Sequence, residues 1–232
     1  MSEVMVISRR FCGPPDSGNG GYVCGLMAGH VGGTAEVRLR KPPPLEKPLA
    51  LIHTDETRVC LMDGETLVAE AAPAELKLEA PSPPSYAQAL QAMRHYVSED
   101  EHFFPTCFVC GPARKAGDGL RIFPGPLHRQ GMAASTWVPD ETLSDGRGRV
   151  RPEFVWASLD CPGAWAVMDA GIRPIVLGSL TSEILDIPAV GQRCIALGWK
   201  IAAQGRKRLA GTALFTENGD LLARARSVWI EI

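Results

Sequence analysis

Asp160 lies at a position in the sequence where a carboxylate could take part in acid–base chemistry. It belongs to residues 159–165, which read LDCPGAW, and the proline followed by small and apolar residues predicts the start of a helix. A carboxylate at a helix start either caps the free N–H groups of the first turn or accepts a proton from water. Asp160 is therefore a catalytic candidate, while a helix cap is the usual role of an aspartate at this position.

A second candidate site precedes an earlier helix. Residues 16–21 read DSGNGG, and their small side chains would let a ligand carbonyl approach the backbone at the start of a helix closely. We predict a catalytic role for Asn19 and substrate-binding roles for Asp16, Gly20 and Gly21. The alternative is a flexible turn in which Asn19 serves only as the N-cap.

Two cysteines stand at metal-ligand spacing, Cys107 and Cys110, with His102 five residues before the first. A second Cys/His pair with ligand spacing is missing, so a zinc ion would need ligands from distant parts of the chain. We expect instead two small apolar side chains that pack a turn under Phe108. The prediction is no metal and no cofactor.

Two other kinds of site are disfavoured. The glycines at residues 18–21 lack the preceding parallel strand and the spacing of a dinucleotide fingerprint. Ser158 and Ser179 have no His/Asp arrangement near them, and no Gly-x-Ser-x-Gly elbow occurs.

The elements that position these residues occur twice. Residues 19–29 and 161–171 each predict a glycine-bearing helix, and each helix is followed by a proline-led extended segment, at residues 44–51 and 188–197. Each copy then turns through a tight hairpin, one at Asp63-Gly64 and one at Asn218-Gly219. A helix followed by an antiparallel meander therefore occurs twice in the chain.

Further elements follow from local patterns. Residues 36–40 alternate polar and apolar side chains and predict a strand, and residues 132–138 and 228–232 predict two more. Ser85 is a candidate cap for a helix that carries Leu90, Met93 and Val97 on one side. Residues 154–170 are apolar over most of a helical circumference, which predicts one long buried helix wrapped by a curved sheet.

Composition limits the partners. The chain has 232 residues, a net charge of -2, 45% hydrophobic and 22% charged residues, and no long basic run. These values are ordinary for a globular protein and disfavour nucleic acid and anionic membranes as partners. The N-terminal apolar run is too short for a signal peptide, and the seven cysteines look like reduced thiols, so we predict a cytoplasmic protein without membrane spans.

The chain resembles a tandem, or double, hotdog protein of the acyl-CoA thioesterase superfamily. Residues 107–112 (CFVCGP) with residues 119–122 (GLRI) look like the segment before the first strand of phenylacetate-type thioesterases, and residues 159–165 look like the start of the hotdog helix. Neither copy has the His-Gly-Gly that members of this branch tend to carry before the helix. The resemblance implies an α+β fold with a first, shorter hotdog at 1–80, a connector at 81–106 and a second hotdog at 107–232.

The resemblance also implies a function. It indicates an acyl thioester, usually acyl-CoA, whose carbonyl is polarised by N–H groups at a helix start, near Gly20 and Gly21 or near Gly163 and Ala164. Asp160 or Asn19 would orient the attacking water, and a homodimer is possible by analogy. The alternative is a non-catalytic protein that binds acyl groups or small molecules. A hotdog dehydratase is disfavoured because no recognisable dehydratase motif contains one of the five histidines, which are His30, His53, His95, His102 and His128.

Overall fold

One antiparallel sheet, four α-helices and two short 3₁₀ helices (Arg9–Phe11 and Glu141–Leu143) are the regular elements of this computed structural model, which describes residues 3–127, 131–168 and 174–232. In chain order the elements are β1 (Glu3–Val6), α1 (Gly20–Ala28), β2 (Ala35–Leu39), β3 (Pro48–His53), β4 (Val59–Asp63), β5 (Thr66–Pro73), α2 (Tyr86–Met93), β6 (Gly125–Pro126), β7 (Met132–Trp137), α3 (Pro152–Ser158), α4 (Cys161–Val167), β8 (Ile175–Ile184), β9 (Cys194–Gln204), β10 (Lys207–Thr216) and β11 (Leu221–Glu231). His128 lies outside the described residues.

The strands follow the same order in each half of the sheet. The full order is β1-β3-β4-β5-β2-β8-β11-β10-β9-β7-β6, so β1 to β5 form one half and β6 to β11 the other. In each half a leading strand, β1 or β7, comes before the buried helices, which are α1 in one half and α3 and α4 in the other. The last three strands of each half form a meander, β3-β4-β5 or β9-β10-β11, whose last strand pairs with the strand that follows the helices, β2 or β8. Strand β6, which pairs with β7, has no counterpart among β1 to β5. The halves join where β2 pairs antiparallel with β8, with Val37 opposite Leu180.

The predictions of the two hairpins, of the strand at 36–40 and of the Ser85 cap are confirmed. Both hairpins form where predicted, between β4 and β5 and between β10 and β11, and each places its glycine at positive φ, 58° for Gly64 and 95° for Gly219. The strand predicted at 36–40 is β2. Ser85 caps α2 through a capping box with Gln88.

The side of α2 predicted to carry Leu90, Met93 and Val97 is only partly as expected: the helix ends at Met93, whose Sδ accepts from Thr136, and Val97 lies beyond it. Leu90 is exposed, and the helix instead buries Ala89 and Ala92. Small residues are needed because the helix lies very close to β6: a Cβ atom added at Gly125 would stand 1.8 Å from the carbonyl oxygen of Ala92. Close approach therefore selects alanine over leucine for the buried face.

The single helix predicted at 154–170 is also wrong, because the structure breaks it into α3 and α4. Leu159 and Asp160 stand between the two, and Asp160 has a non-helical ψ of -82°. Pro162 explains the break, since its nitrogen carries no hydrogen to donate to the carbonyl of Ser158 and its ring crowds the preceding turn. The end of the predicted helix, Asp169 and Ala170, lies outside the described residues.

The helices of the two halves contact each other where α1 packs against α3. Both helices are almost wholly buried, and glycines let them approach: a Cβ at Gly25 would stand 2.6 Å from the Cα of Glu153. The aromatic rings of Phe11, Tyr22 and Phe154 pack at this contact, with Phe11 and Tyr22 stacked at 4.1 Å between centroids. No helix among the described residues is long and apolar enough to cross a bilayer.

Gly198→Ala tests the seating of α4 on the second half of the sheet. A Cβ at Gly198 would stand 1.9 Å from the carbonyl oxygen of Pro162, so we expect a loss of about 1–3 kcal/mol of unfolding free energy in urea denaturation. Gly29→Ala is the matched control, because Gly29 has a right-handed helical conformation and its nearest neighbour to an added Cβ is at 3.4 Å. Equal effects of the two changes would contradict this account of Gly198.

Candidate functional site

Asn19 begins the site as the N-cap of α1. Its Oδ1 accepts a hydrogen bond of 2.9 Å from the N–H of Tyr22, while its own backbone stays extended with a ψ of 130°. This bond satisfies one of the N–H groups that the first helical turn leaves without an internal partner. The predicted capping role of Asn19 is thereby confirmed.

Asp160 reaches the same helix terminus from the other half of the molecule. Its Oδ2 accepts from Nδ2 of Asn19 at 2.8 Å and from the N–H of Gly21 at 3.0 Å. It makes no side-chain cap on α4, so the alternative that it caps its own helix is wrong. The two candidate sites of the sequence, 141 residues apart for Asn19 and Asp160, are one site in the structure.

Glycines make this meeting possible. A Cβ at Gly21 would stand 2.5 Å from the Cβ of Asp160, and one at Gly20 would stand 2.8 Å from the side chain of Leu177. Real Cβ atoms do not come so close to other heavy atoms, so any larger residue at position 21 would push the carboxylate away from the helix start. The need for Gly21 is steric, since it adopts an ordinary helical conformation within α1.

The protonation of Asp160 reflects its surroundings. Burial raises the pKa of its carboxyl to about 7, the N–H of Gly21 and the amide of Asn19 act to lower this pKa, and a charged Cys107 raises it further. Burial dominates because the side chain is 2% exposed and a charged carboxylate loses most of its hydration there.

Two polar groups at this point lack partners. Oδ1 of Asp160 is buried and accepts no hydrogen bond, and the N–H of Gly20 donates to no other group within residues 3–127, 131–168 and 174–232. An unpaired buried oxygen and an unpaired helix N–H are costly unless a ligand or water completes them. Both residues line the same cavity.

The cavity has a volume of about 500 Å³ and lies between the two halves. Apolar side chains form most of its wall, including Leu39, Trp165, Leu177 and Trp229. The exposed residues Arg40 and Lys41 also line it and mark a side where it reaches solvent. A cavity of this size with few polar groups is typical of a site for a largely apolar small molecule.

The other predicted binding residues fall in different places. Asp16 and Ala164 line the cavity, Asp16 from an exposed position. Gly163 is not among the residues that line this cavity; it faces the sheet, where an added Cβ would stand 3.0 Å from Ser227 and Thr212, and its N–H donates to the carbonyl of Asp160.

Sequence reasoning missed a third thiol in this wall. Cys161 lies with its Sγ 3.8 Å from the Sγ of Cys107, and the Sγ of Cys110 is near both. Residues 107 and 161 are 54 positions apart, so no local spacing signals the contact. His102 lines the same wall, with Nε2 3.4 Å from the Sγ of Cys110.

Asn19→Ala tests the double role of this side chain. We expect it to lower the unfolding free energy by about 1–2 kcal/mol for the lost cap, because the N–H of Tyr22 then has no acceptor. Asn19→Ser keeps a capping oxygen and removes the amide that donates to Asp160 and, at 3.8 Å, to the Sγ of Cys107, so it should cost less stability in the same urea titration. If both variants lose the same stability, the cap is not what Asn19 contributes.

Comparison with known proteins identifies the fold. No protein-family model matches the sequence, and no curated protein matches it. Among solved structures, the chain is similar to a conserved hot dog-fold protein of unknown function from Alicyclobacillus acidocaldarius, with a TM-score of 0.65 and 12% identity over 99% of this chain and 92% of that one.

Two further structures agree with this likeness. The tesB protein of Mycobacterium avium subs paratuberculosis has a TM-score of 0.61 and 13% identity, over 93% of this chain and 87% of that one. A candidate thioesterase from Novosphingobium aromaticivorans has a TM-score of 0.64 and 12% identity, over 99% of this chain and 94% of that one. These likenesses extend over nearly the whole chain and confirm the predicted hotdog fold.

Proposed function

We propose that this chain is a tandem of two hotdog units that hydrolyses acyl thioesters, with coenzyme A as the carrier of the acyl group. The observation that carries the proposal is the carboxylate of Asp160, which is buried against the first turn of α1 with one oxygen bound and the other free. The thioesterase name of one structural neighbour, the protein from Novosphingobium aromaticivorans, supports the class of reaction. The unit boundaries at 1–80, 81–106 and 107–232, the cytoplasmic location and the homodimer stay predictions.

Asp160 acts as the general base in this proposal. Its Oδ2 is held by Asn19 and Gly21, so the carboxylate has one orientation, and its Oδ1 is left to accept a proton from water. A pKa of about 7, raised by burial, makes it a much stronger base than an exposed aspartate while leaving a large share ionised at neutral pH. The water oxygen attacks the thioester carbonyl as its proton passes to Oδ1.

The N–H of Gly20 stabilises the resulting oxyanion. It is the first N–H of a nine-residue helix, it has no other partner among the residues described, and it stands at the positive end of the helix dipole. The tetrahedral intermediate then collapses, the C–S bond breaks, and the thiolate of the carrier takes up the proton that Asp160 holds. The products are a carboxylic acid and a free thiol.

The cavity fits such a substrate in shape and charge. Its apolar wall suits an acyl chain or an apolar acyl group, and Arg40 and Lys41 supply positive charge on the side that reaches solvent. Arg40 is paired with Glu70, whereas Lys41 is exposed and forms no ion pair with a described residue. Lys41 is therefore the better candidate to attract the phosphates of coenzyme A.

Asp160→Asn tests the base. The amide oxygen can still accept from Asn19 and Gly21, so we expect a melting temperature close to that of the parent and a kcat lower by about 10²-fold or more. Thiol release from short, long and aromatic acyl-CoA substrates measures the rate, with the exposed Asp100→Asn as the control. Unchanged turnover in Asp160→Asn would refute the assignment, and saturable acyl-CoA binding by a parent without turnover would favour the binding-protein alternative.

Lys41→Glu tests the carrier. We expect the KM for acyl-CoA to rise by about three- to tenfold, equivalent to about 0.7–1.4 kcal/mol, because a negative charge replaces a positive one near the phosphates. The KM for the matching acyl-pantetheine, which lacks the nucleotide phosphates, should stay unchanged. Lys115→Glu, an exposed lysine outside the described cavity wall, is the control. Equal changes with both substrates would exclude a phosphate contact at Lys41.

A further inference from the structure

The wall of the cavity holds a cluster of three thiols whose spacing suits a metal ion. The Sγ atoms of Cys107, Cys110 and Cys161 all lie within 4.8 Å of one another, and all three side chains are buried. The Sγ atoms of Cys107 and Cys161 are 3.8 Å apart. In a tetrahedral site with Zn–S bonds of about 2.3 Å, neighbouring sulfurs are about 3.8 Å apart, so this edge already has the length that zinc requires.

The turn that carries two of these thiols is tightly closed, and its first sulfur accepts a hydrogen bond. Nδ2 of Asn19 donates to the Sγ of Cys107 at 3.8 Å. Gly111 closes the turn through a 2.9 Å hydrogen bond to the carbonyl of Cys107, and an added Cβ there would stand 2.5 Å from the backbone nitrogen of Cys107. A thiol that merely fills apolar space does not need an amide donor, whereas a thiolate is stabilised by one.

These contacts favour the charged form of Cys107. Hydrogen bonds from the thiols of Cys110 and Cys161 hold the pKa of the Cys107 thiol well below its ordinary range, against the opposing effect of burial. Thiolates are the ligand form of cysteine and suit zinc among the common divalent ions.

His102 supports the cluster from outside it. Its Nδ1 accepts from the N–H of Phe104 at 2.9 Å, so a neutral ring carries its proton on Nε2. That N–H lies 2.8 Å from the hydroxyl of Tyr96 and 3.4 Å from the Sγ of Cys110. With its proton on this nitrogen, His102 is a donor to sulfur and not a ligand, which leaves three protein ligands.

We propose that Cys107, Cys110 and Cys161 bind one Zn²⁺ as thiolates and leave its fourth position open to the cavity. All three residues line that cavity, and three protein ligands with one free position are the arrangement of zinc sites that bind water or substrate. Each thiol that is still protonated releases its proton to solvent when the ion binds. The ion would join the turn at 107–111 to the start of α4, and the proposal holds whether or not the protein hydrolyses thioesters.

Metal content is the first test. The full-length protein, incubated with excess Zn²⁺ under reducing conditions and then dialysed, should retain one zinc per chain by elemental analysis. Cys110→Ser should lose it, and Cys194→Ser, which changes a buried thiol outside the cluster, should keep it. Retention by Cys110→Ser at the parent level, or no retention by the parent, would overturn the proposal.

Cobalt substitution in the parent chain gives a readout that needs no variant. Co²⁺ should produce thiolate-to-metal charge-transfer absorption and the visible bands of a tetrahedral ion, and azide should shift those bands because the fourth position is open. Bands that do not shift with azide would refute the open position, and absent charge-transfer absorption would refute the thiolate site.

A thiol titration tests whether the cysteines are reduced. Titration of the metal-free, denatured chain should find all seven thiols; a deficit of two would show a disulfide in place of the metal site.

Discussion

The contact between Asp160 and the first turn of α1 is the interaction on which the rest of the site depends. It joins a carboxylate of one half of the sheet to a helix terminus of the other, and it is possible only because α1 and α3 approach through Gly21 and Gly25. A side chain at either glycine would push the two helices apart. The hydrogen bonds to Asp160 would then be too long to form. The packing of the two halves and the geometry of the site are therefore one constraint.

The pKa of Asp160 depends on its incomplete hydrogen bonding as well as on its burial. A buried carboxylate with every lone pair bonded would be strongly stabilised as the anion and would be a weak base, as ordinary helix caps are. A buried carboxylate without donors would stay protonated. Asp160 lies between these cases, with two donors on Oδ2 and none on Oδ1, and its pKa of about 7 follows from that balance between burial and hydrogen bonding.

The turns and helix caps could be predicted from residues close together in the sequence. The contacts between distant residues that form the site could not. The hairpin glycines, the Ser85 cap and Asn19 at the start of α1 all follow from backbone chemistry within a few residues. The break before α4 was missed because an all-apolar helix pattern has no period whose interruption could be seen, even though Pro162 was visible. The pairs Asp160–Gly21 and Cys161–Cys107 are 139 and 54 residues apart, and only the fold brings them together.

The break at Pro162 also explains why two halves with the same strand order differ in their chemistry. In the first half α1 is continuous, so all its residues keep helical geometry. In the second half the lost hydrogen bond releases Asp160 from helical geometry, and the two residues at the break then contact different partners: Asp160 the start of α1, and Cys161 the turn that carries Cys107. The carboxylate of Asp160 and the thiol of Cys161 thus both depend on the same interruption of one helix by Pro162.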